Sequence, residues 1–208
     1  MDDFTAHKSG GIFAKAELHV VALLQNGACG SLPFHNVQHT LEVYVQVLKV
    51  GNHVGLDPTE LERVLLAALF HDVGHVSGFE GHETQSCDLA KAFLEDWDYP
   101  SEGLAVVQDC ILATRMPQEP KNLMEKVLCD ADLFHLGTLS FFNKNALLRK
   151  EWAQHRNMQY SDRDWTQLNI TFLEGHSFFT TYGQRVLEPV KQENLAQLKD
   201  RLGWLDPF

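Results

Sequence analysis

The chain has 208 residues, of which 44% are hydrophobic and 22% are charged, an ordinary composition for a globular protein. That length is sufficient for one well-packed domain and short for two, so we expect a single domain over residues 1–208. The formal net charge of −11 disfavours long nucleic acid as a partner, because binding to a phosphate backbone depends on clustered Lys and Arg. It does not exclude a small phosphorylated molecule, since a metal and a few basic residues can supply positive charge inside a cleft.

Neither the N-terminus nor any apolar run predicts secretion or contact with a membrane. The chain begins MDDFTAHKSGG, which lacks the basic and apolar regions of a secretory signal. The longest apolar run, residues 64–70, is too short to cross a bilayer. The cysteines are widely spaced and form no C-x-x-C pair: Cys29, Cys87, Cys110 and Cys129. We therefore expect a cytoplasmic protein with reduced thiols.

Apolar residues recur mostly three or four positions apart, and this spacing predicts an all-α fold. The first helix is expected from about residue 14 to residue 24, before the breakers Asn26 and Gly27. The second is expected from about residue 36 to residue 52. Its predicted buried stripe consists of Val37, Leu41, Val45 and Leu48.

The third helix has the clearest start signal in the chain. Asp57 can cap it, Pro58 suits the first helical position, and Glu60 completes a capping box. Its apolar stripe continues to His71 and Asp72. Three glycines then predict a loop: Gly74, Gly78 and Gly81.

Five further helices are expected in the remainder of the chain. They cover about residues 82–94, 101–114, 122–136, 164–182 and 184–201. Gly137 is placed to end the helix at 122–136. The pattern over residues 152–160 is ambiguous.

Three short stretches concentrate the residue types that bind metals: F-H-N-V-Q-H at 34–39, F-H-D-V-G-H at 70–75 and C-D-A-D-L at 129–133. His35 and His39 are four apart at the expected start of a helix, so both should project from one face. One can bind metal while the other faces substrate. His71 and Asp72 follow a strongly apolar helix, where an uncompensated carboxylate would cost several kcal/mol. A divalent cation is the simplest compensation.

Two imidazoles and two carboxylates suit a borderline or hard cation such as Zn²⁺, Mn²⁺, Fe²⁺ or Mg²⁺. Four protein ligands leave coordination positions open for water, which is typical of a catalytic site. Either Asp130 or Asp132 is available as the last carboxylate.

The ordered set H…HD…D resembles the signature of the HD superfamily. The longer forms H-N-x-x-H and H-D-x-x-H, together with I-L-A-T at 111–114 and A-D-L at 131–133, resemble class I cyclic nucleotide phosphodiesterases. General HD hydrolases often show a His-Glu pair that opens the next helix, as at His82 and Glu83. The resemblance implies a compact HD-domain helical bundle with a motif core at about 34–135 and C-terminal helices within 140–208.

The resemblance also implies roles for individual residues. Four would bind a first divalent metal: His39, His71, Asp72 and Asp132. Asp72 would bridge to a second metal that is otherwise mainly bound by water. His35 would be the general acid that protonates the leaving oxygen after in-line attack of metal-bound hydroxide on phosphorus.

Weaker assignments concern three further residues. His75 would orient the site or the substrate, and Glu83 would hold or deprotonate the attacking water. Arg115 would contact a substrate phosphate through two hydrogen bonds. His75 and His82 are equally compatible with a solvated loop, and Arg115 with a surface position.

The expected function is metal-dependent hydrolysis of a phosphoester in a small molecule, with a cyclic nucleotide or a nucleoside monophosphate favoured. An HD-type di-iron oxygenase of a small organic substrate is one alternative. It is disfavoured because the sequence after I-L-A-T lacks a histidine. A non-catalytic HD domain that binds a nucleotide or a partner protein is another, and the intact His35, His71 and Asp72 disfavour it. A helical domain of this size is also compatible with a homodimer.

Overall fold

The computed structural model describes residues 3–205 and, within that range, the side chains of residues 11–27 and 30–205. Nine α-helices and no β-strand occur in this part of the chain, which confirms the predicted all-α fold. The helices are α1 (Asp3–Asn26), α2 (Val37–Val54), α3 (Pro58–Phe70), α4 (His82–Asp96), α5 (Ser101–Ala113), α6 (Leu123–Asp132), α7 (Phe141–His155), α8 (Asp162–Gly175) and α9 (Glu188–Leu205).

The contacts between residues divide the chain into two units, 1–132 and 133–208. The first unit contains α1 to α6 and the second contains α7 to α9. The expected single domain over residues 1–208 stays a prediction. Among residues 3–205, no helix combines the length and apolar character needed to span a membrane. Three cysteines are buried free thiols, and the side chain of Cys29 lies outside the described residues.

Helix α3 is at the centre of the first unit. Every residue from Val64 to Phe70 is buried, and α3 contacts α1, α2, α4, α5 and α6. A helix that is apolar on all sides is typical of the interior of a protein, so the run at 64–70 corresponds to a core helix. The neighbouring helices contribute further fully buried residues: Val43, Val47, Val50, Val107, Ile111, Val127 and Leu128.

The predicted buried stripe of α2 is wrong. Val45 is 44% exposed, and the other three predicted residues are only partly buried. The buried residues are instead His39, Thr40, Val43, Val47, Val50 and Gly51. Helix α2 has valines or leucines on two faces, so the sequence alone does not indicate which face is buried. The buried face is the one that carries His39.

The predicted start of α3 is confirmed in detail. Oδ1 of Asp57 accepts hydrogen bonds from the backbone N–H groups of Thr59 and Glu60, both at 2.8 Å. Oε2 of Glu60 accepts one from the backbone N–H of Asp57 at 2.9 Å. This capping box satisfies donors that the first turn of a helix leaves free.

The predicted loop after Asp72 is a buried 3₁₀ turn at Val73–Val76. Gly74 is required there, because a side chain would overlap the backbone carbonyl of His82. The backbone N–H of Gly74 donates to Oγ of Ser86 at 2.9 Å. This close approach brings the end of α3 next to the start of α4.

Several later boundaries differ from the predicted ones. The helix expected at 122–136 ends at Asp132 and is followed by a 3₁₀ turn at Phe134–Gly137. The helix expected at 164–182 ends at Gly175, because His176 adopts an extended backbone conformation. Residues 141–155 form α7, which includes the start of the segment whose pattern was ambiguous.

The second unit has its own apolar core and a buried lysine. The core residues are Phe134, Leu136, Phe141, Ile170, Leu173, Phe178, Leu187, Leu195 and Leu198. Nζ of Lys191 is buried, donates to the backbone carbonyl of His176 and lies 3.0 Å from Oε1 of Glu188. The His176 ring lies against the rings of Phe172 and Phe178.

Histidine 176 should make the second unit sensitive to acid. Burial, together with the Lys191 charge, lowers the pKa of His176 to about 4 from 6.5. Below pH 6.5 the unfolded chain therefore takes up a proton that the folded chain excludes. The contribution of this residue to the free energy of unfolding is therefore fully present above pH 6.5. It decreases as the pH falls towards 4, by up to about 1.4 kcal/mol per pH unit.

Amide hydrogen exchange in α8 and α9 between pH 4 and pH 6.5 measures this effect. His176→Gln should flatten the pH dependence of protection, after correction for intrinsic exchange. His155→Gln, which changes an exposed histidine of α7, should leave it unchanged. Equal pH dependence in wild type and His176→Gln would contradict the prediction.

Candidate metal centre

Four side chains from three parts of the first unit meet at one point. They are His39 of α2, His71 and Asp72 directly after α3, and Asp132 at the end of α6. One ligand atom from each lies within 4.8 Å of all the others. Nε2 of His39 is 3.4 Å from Oδ2 of Asp72 and 3.3 Å from Oδ1 of Asp132. Nε2 of His71 is 3.2 Å and 3.5 Å from the same two oxygens.

Local backbone structure orients both imidazoles. Asn36 caps α2 by accepting hydrogen bonds from the N–H groups of Gln38 and His39, which fixes the first turn that carries His39. Nδ1 of His71 is 2.9 Å from the carbonyl of Ala68. This contact favours the tautomer with the proton on Nδ1, so Nε2 is available to a ligand.

The donor atoms fit a divalent metal. Nε2 of His39, Nε2 of His71 and Oδ2 of Asp72 are buried and have no hydrogen-bond partner within residues 3–205. The imidazole and carboxylate charges offset part of the cost of burying these atoms, and one shared cation would bind all three. Ligands at about 2.1 Å from a common ion lie about 3–3.5 Å apart, which matches the distances of 3.2–3.5 Å between these groups.

The two carboxylates and the two imidazoles shift one another's protonation. Burial alone would lower the pKa of His39 and His71, but Asp72 and Asp132 raise both above the ordinary value. Burial alone would raise the pKa of Asp72 and Asp132, but the two histidines lower both well below the usual range. A metal must displace protons from the imidazoles, so its affinity should decrease in acid.

The second oxygen of Asp72 faces a different group of histidines. Oδ1 is 3.4 Å from Nε2 of His82 and 3.9 Å from Nε2 of His75. The rings of His75 and His82 are stacked, with centroids 3.9 Å apart. Nδ1 of His82 lies 3.0 Å from the carbonyl of Phe79, which directs Nε2 towards Asp72. Asp72 therefore lies between two pairs of imidazoles.

The expectation that His35 and His39 share a helix face is wrong in its geometry. Helix α2 begins at Val37 with Asn36 as its cap, so His35 precedes the helix. Its ring is nevertheless 5.8 Å from that of His39 and 4.6 Å from that of His75, measured between centroids. Ligand atoms of His35, Asp72 and His75 also lie within 4.8 Å of one another.

Glu83 and Arg115 form the edge of the site. Oε2 of Glu83, which is largely buried, is 3.7 Å from Nδ1 of His82 and 3.8 Å from Nε of Arg115. Nη2 of Arg115 donates to Oγ1 of Thr84 at 2.9 Å. The Arg115 side chain is 53% exposed, so its guanidinium is accessible to a solute while held beside Glu83.

Two further residues, Asp130 and Gln118, bear on the predicted role of Asp132. Asp130 is buried, and Asp132 rather than Asp130 is in the group of four potential ligands. Gln118, which the sequence did not suggest, donates from Nε2 to Oδ2 of Asp132 at 3.5 Å. It stands in the segment between α5 and α6, and no motif spacing marks it.

A cleft of about 380 Å³ lies beside the same segment. Its apolar lining includes Leu112, Met116 and Pro117. Its charged lining has both signs: Arg115, Lys121, Asp109, Glu119 and Glu125. Arg115 therefore contacts both this cleft and Glu83.

A comparison with protein families found a match in the central part of the chain. The family model for the HD domain matches residues 36–137, which include three of the helices around the four potential ligands. No curated protein matches the chain. The crystal structure of the Lin1889 protein from Listeria innocua is similar, with 16% identity, a TM-score of 0.63, and coverage of 95% of this chain and 99% of that chain.

A second solved structure is also similar. It is a predicted HD superfamily hydrolase from an uncultured Thermotogales bacterium, with 16% identity and a TM-score of 0.59. The alignment covers 90% of this chain and 92% of that chain. At 16% identity, both similarities show a shared fold only.

Proposed function

Because this chain carries an HD domain at residues 36–137, we propose that it is a metal-dependent hydrolase of phosphoester bonds in small molecules. The observation that carries the proposal is the set of two imidazoles and two carboxylates whose buried ligand atoms converge at one point. Four such ligands leave coordination positions open, which is typical of catalytic rather than structural sites.

His39, His71, Asp72 and Asp132 are the proposed metal ligands. A divalent metal there would lower the pKa of a bound water and polarise a phosphoryl oxygen. The distances of 3.2–3.5 Å between their imidazole and carboxylate atoms support this assignment. The contact of Nδ1 of His71 with the carbonyl of Ala68 supports it too, because it leaves Nε2 available to an ion.

His35 is the proposed general acid and Glu83 the proposed group that orients or deprotonates water. His35 adjoins His39 and His75 without being one of the four proposed ligands. Glu83 is held between His82 and Arg115. His75 supports the orientation of both His35 and His82 through ring contacts.

The proposed substrate is a small phosphorylated molecule, with a cyclic nucleotide or nucleoside monophosphate as the favoured class. Arg115 supports this proposal, because an accessible guanidinium can bind two phosphate oxygens at once. It is held at the edge of the site by Thr84 and Glu83. The net charge of −11 disfavours long nucleic acid. A homodimer and a cytoplasmic location remain predictions.

A second metal bridged by Asp72 is part of the proposal. Its support is the position of Oδ1, which faces His82 and His75 while Oδ2 faces His39 and His71. The same arrangement favours a di-iron oxygenase as the second candidate function, because two histidines beside a bridging carboxylate provide nitrogen ligands for a second iron.

Elemental analysis combined with a substrate panel tests these functions. The panel contains cyclic nucleotides, nucleoside monophosphates, 4-nitrophenyl phosphate and bis(4-nitrophenyl) phosphate. We expect a bound divalent metal and hydrolysis of at least one member. Oxygen consumption by an iron-loaded protein without hydrolysis would favour the oxygenase. Nucleotide binding without turnover in metal-loaded protein would favour a non-catalytic domain.

A further inference from the structure

The two oxygens of Asp132 have different surroundings. Oδ1 faces Nε2 of His39 at 3.3 Å and Nε2 of His71 at 3.5 Å. Oδ2 lies 3.5 Å from Nε2 of Gln118. An amide nitrogen only donates and an ionised carboxylate only accepts, so the direction of this hydrogen bond is fixed. Gln118 thus holds Asp132 by the oxygen that does not face the two histidines.

The other end of the Gln118 amide is not used by the fold. Its Oε1 is buried and has no hydrogen-bond partner in the described part of the chain. An unsatisfied buried carbonyl costs about 1–3 kcal/mol, and a methionine of similar length would avoid that cost. Fold stability alone therefore does not account for an amide at this position, and the hydrogen bond that the amide makes in the described part of the chain is the one to Asp132.

The segment between α5 and α6 approaches the site at two points. Gln118 contacts Asp132, and Arg115, three residues earlier, contacts Glu83 and Thr84. These contacts fix the segment beside the two side chains through which the proposed site would hold its metal and orient water. Gln118 is consequently placed to control which oxygens of Asp132 can bind a metal.

We propose that Gln118 is a positioning residue that restricts Asp132 to metal coordination through Oδ1 alone. This inference rests on the metal site of the proposed function. With Oδ2 released from Gln118, the carboxylate can turn and coordinate through both oxygens. Such a change would occupy a coordination position that is otherwise open to water or substrate. Partners that orient ligands in this way typically affect metal affinity about 10–100-fold.

Titration of Co²⁺ into metal-depleted protein tests the proposal without an activity assay. Gln118→Met removes the amide and keeps the length of the side chain, and Gln118→Asn keeps the amide but cannot reach Asp132. Both should raise the Kd for Co²⁺ by about 10-fold, because Asp132 is no longer held in one orientation before the ion binds. Both should also weaken the visible absorption bands of the cobalt form, because a higher coordination number gives weaker bands.

The matched control is Gln108→Met. Gln108 is a partly buried glutamine of α5 whose Nε2 donates to the carbonyl of Cys87 at 3.4 Å, a bond of similar length away from the ligands. It should leave the Kd and the spectrum unchanged. Wild-type Kd and spectrum in Gln118→Met would overturn the role of Gln118 alone. Absence of Co²⁺ binding by wild-type protein would overturn the metal site, and this role with it.

Discussion

Replacing Asp72 with Ala is expected to remove the bound metal and the hydrolase activity together. Asp72 has an oxygen facing each pair of imidazoles: Oδ2 faces His39 and His71, and Oδ1 faces His75 and His82. Its loss removes a ligand from the first proposed metal and the bridge to the second. A catalytic metal contributes several kcal/mol, so kcat/KM should decrease by about 10³-fold or more.

The measurements are metal content by elemental analysis and thermal unfolding with and without added metal. Wild-type protein at a metal concentration of 100 times Kd should gain about 2.7 kcal/mol in stability, whereas Asp72→Ala should gain almost none. Asp88→Ala, which changes an exposed aspartate of α4, is the control and should behave as wild type. Full metal content in Asp72→Ala would show that the ligand assignment is wrong.

The parts of the fold that the sequence predicted are those fixed by local chemistry. The capping box at Asp57 and Glu60 is a short-range set of hydrogen bonds, so its residue types suffice to predict it. An apolar stripe was predicted for the third helix, and the structure buries every residue from 64 to 70, because seven apolar residues in succession cannot all avoid burial on a helix. The candidate metal ligands could also be named from the sequence, because their residue types occur in the order H…HD…D. In the structure these residues lie at the ends of three helices.

The parts that could not be predicted depend on contacts between distant segments. Val45 and Val47 of α2 are chemically the same, yet Val45 is exposed and Val47 buried, because the face that carries His39 turns inward. Gly74 was predicted as part of a loop and is instead buried against the backbone of His82. Gln118 belongs to no metal-binding residue type, and only the fold brings it to Asp132.

Replacing His35 with Ala should leave the metal in place and slow turnover. The geometry allows two roles, because His35 adjoins the proposed ligand His39 and also shares a possible ligand group with Asp72 and His75. A general acid typically contributes about 10²–10⁴-fold to the rate, and this contribution is largest when the leaving oxygen is strongly basic. The variant should therefore lose that factor in kcat with a nucleotide or alkyl phosphoester.

The choice of leaving group separates the two roles. A 4-nitrophenolate needs little protonation to depart, so hydrolysis of a 4-nitrophenyl ester should be slowed far less by His35→Ala than hydrolysis of an alkyl ester. A metal ligand would show the opposite pattern, with lower metal content and an equal loss for both esters. His53→Ala, which changes an exposed histidine near the end of α2, should affect neither. An equal loss for both esters with full metal content would exclude His35 as the acid, because protonation of the leaving oxygen is the only step in which the two esters differ strongly.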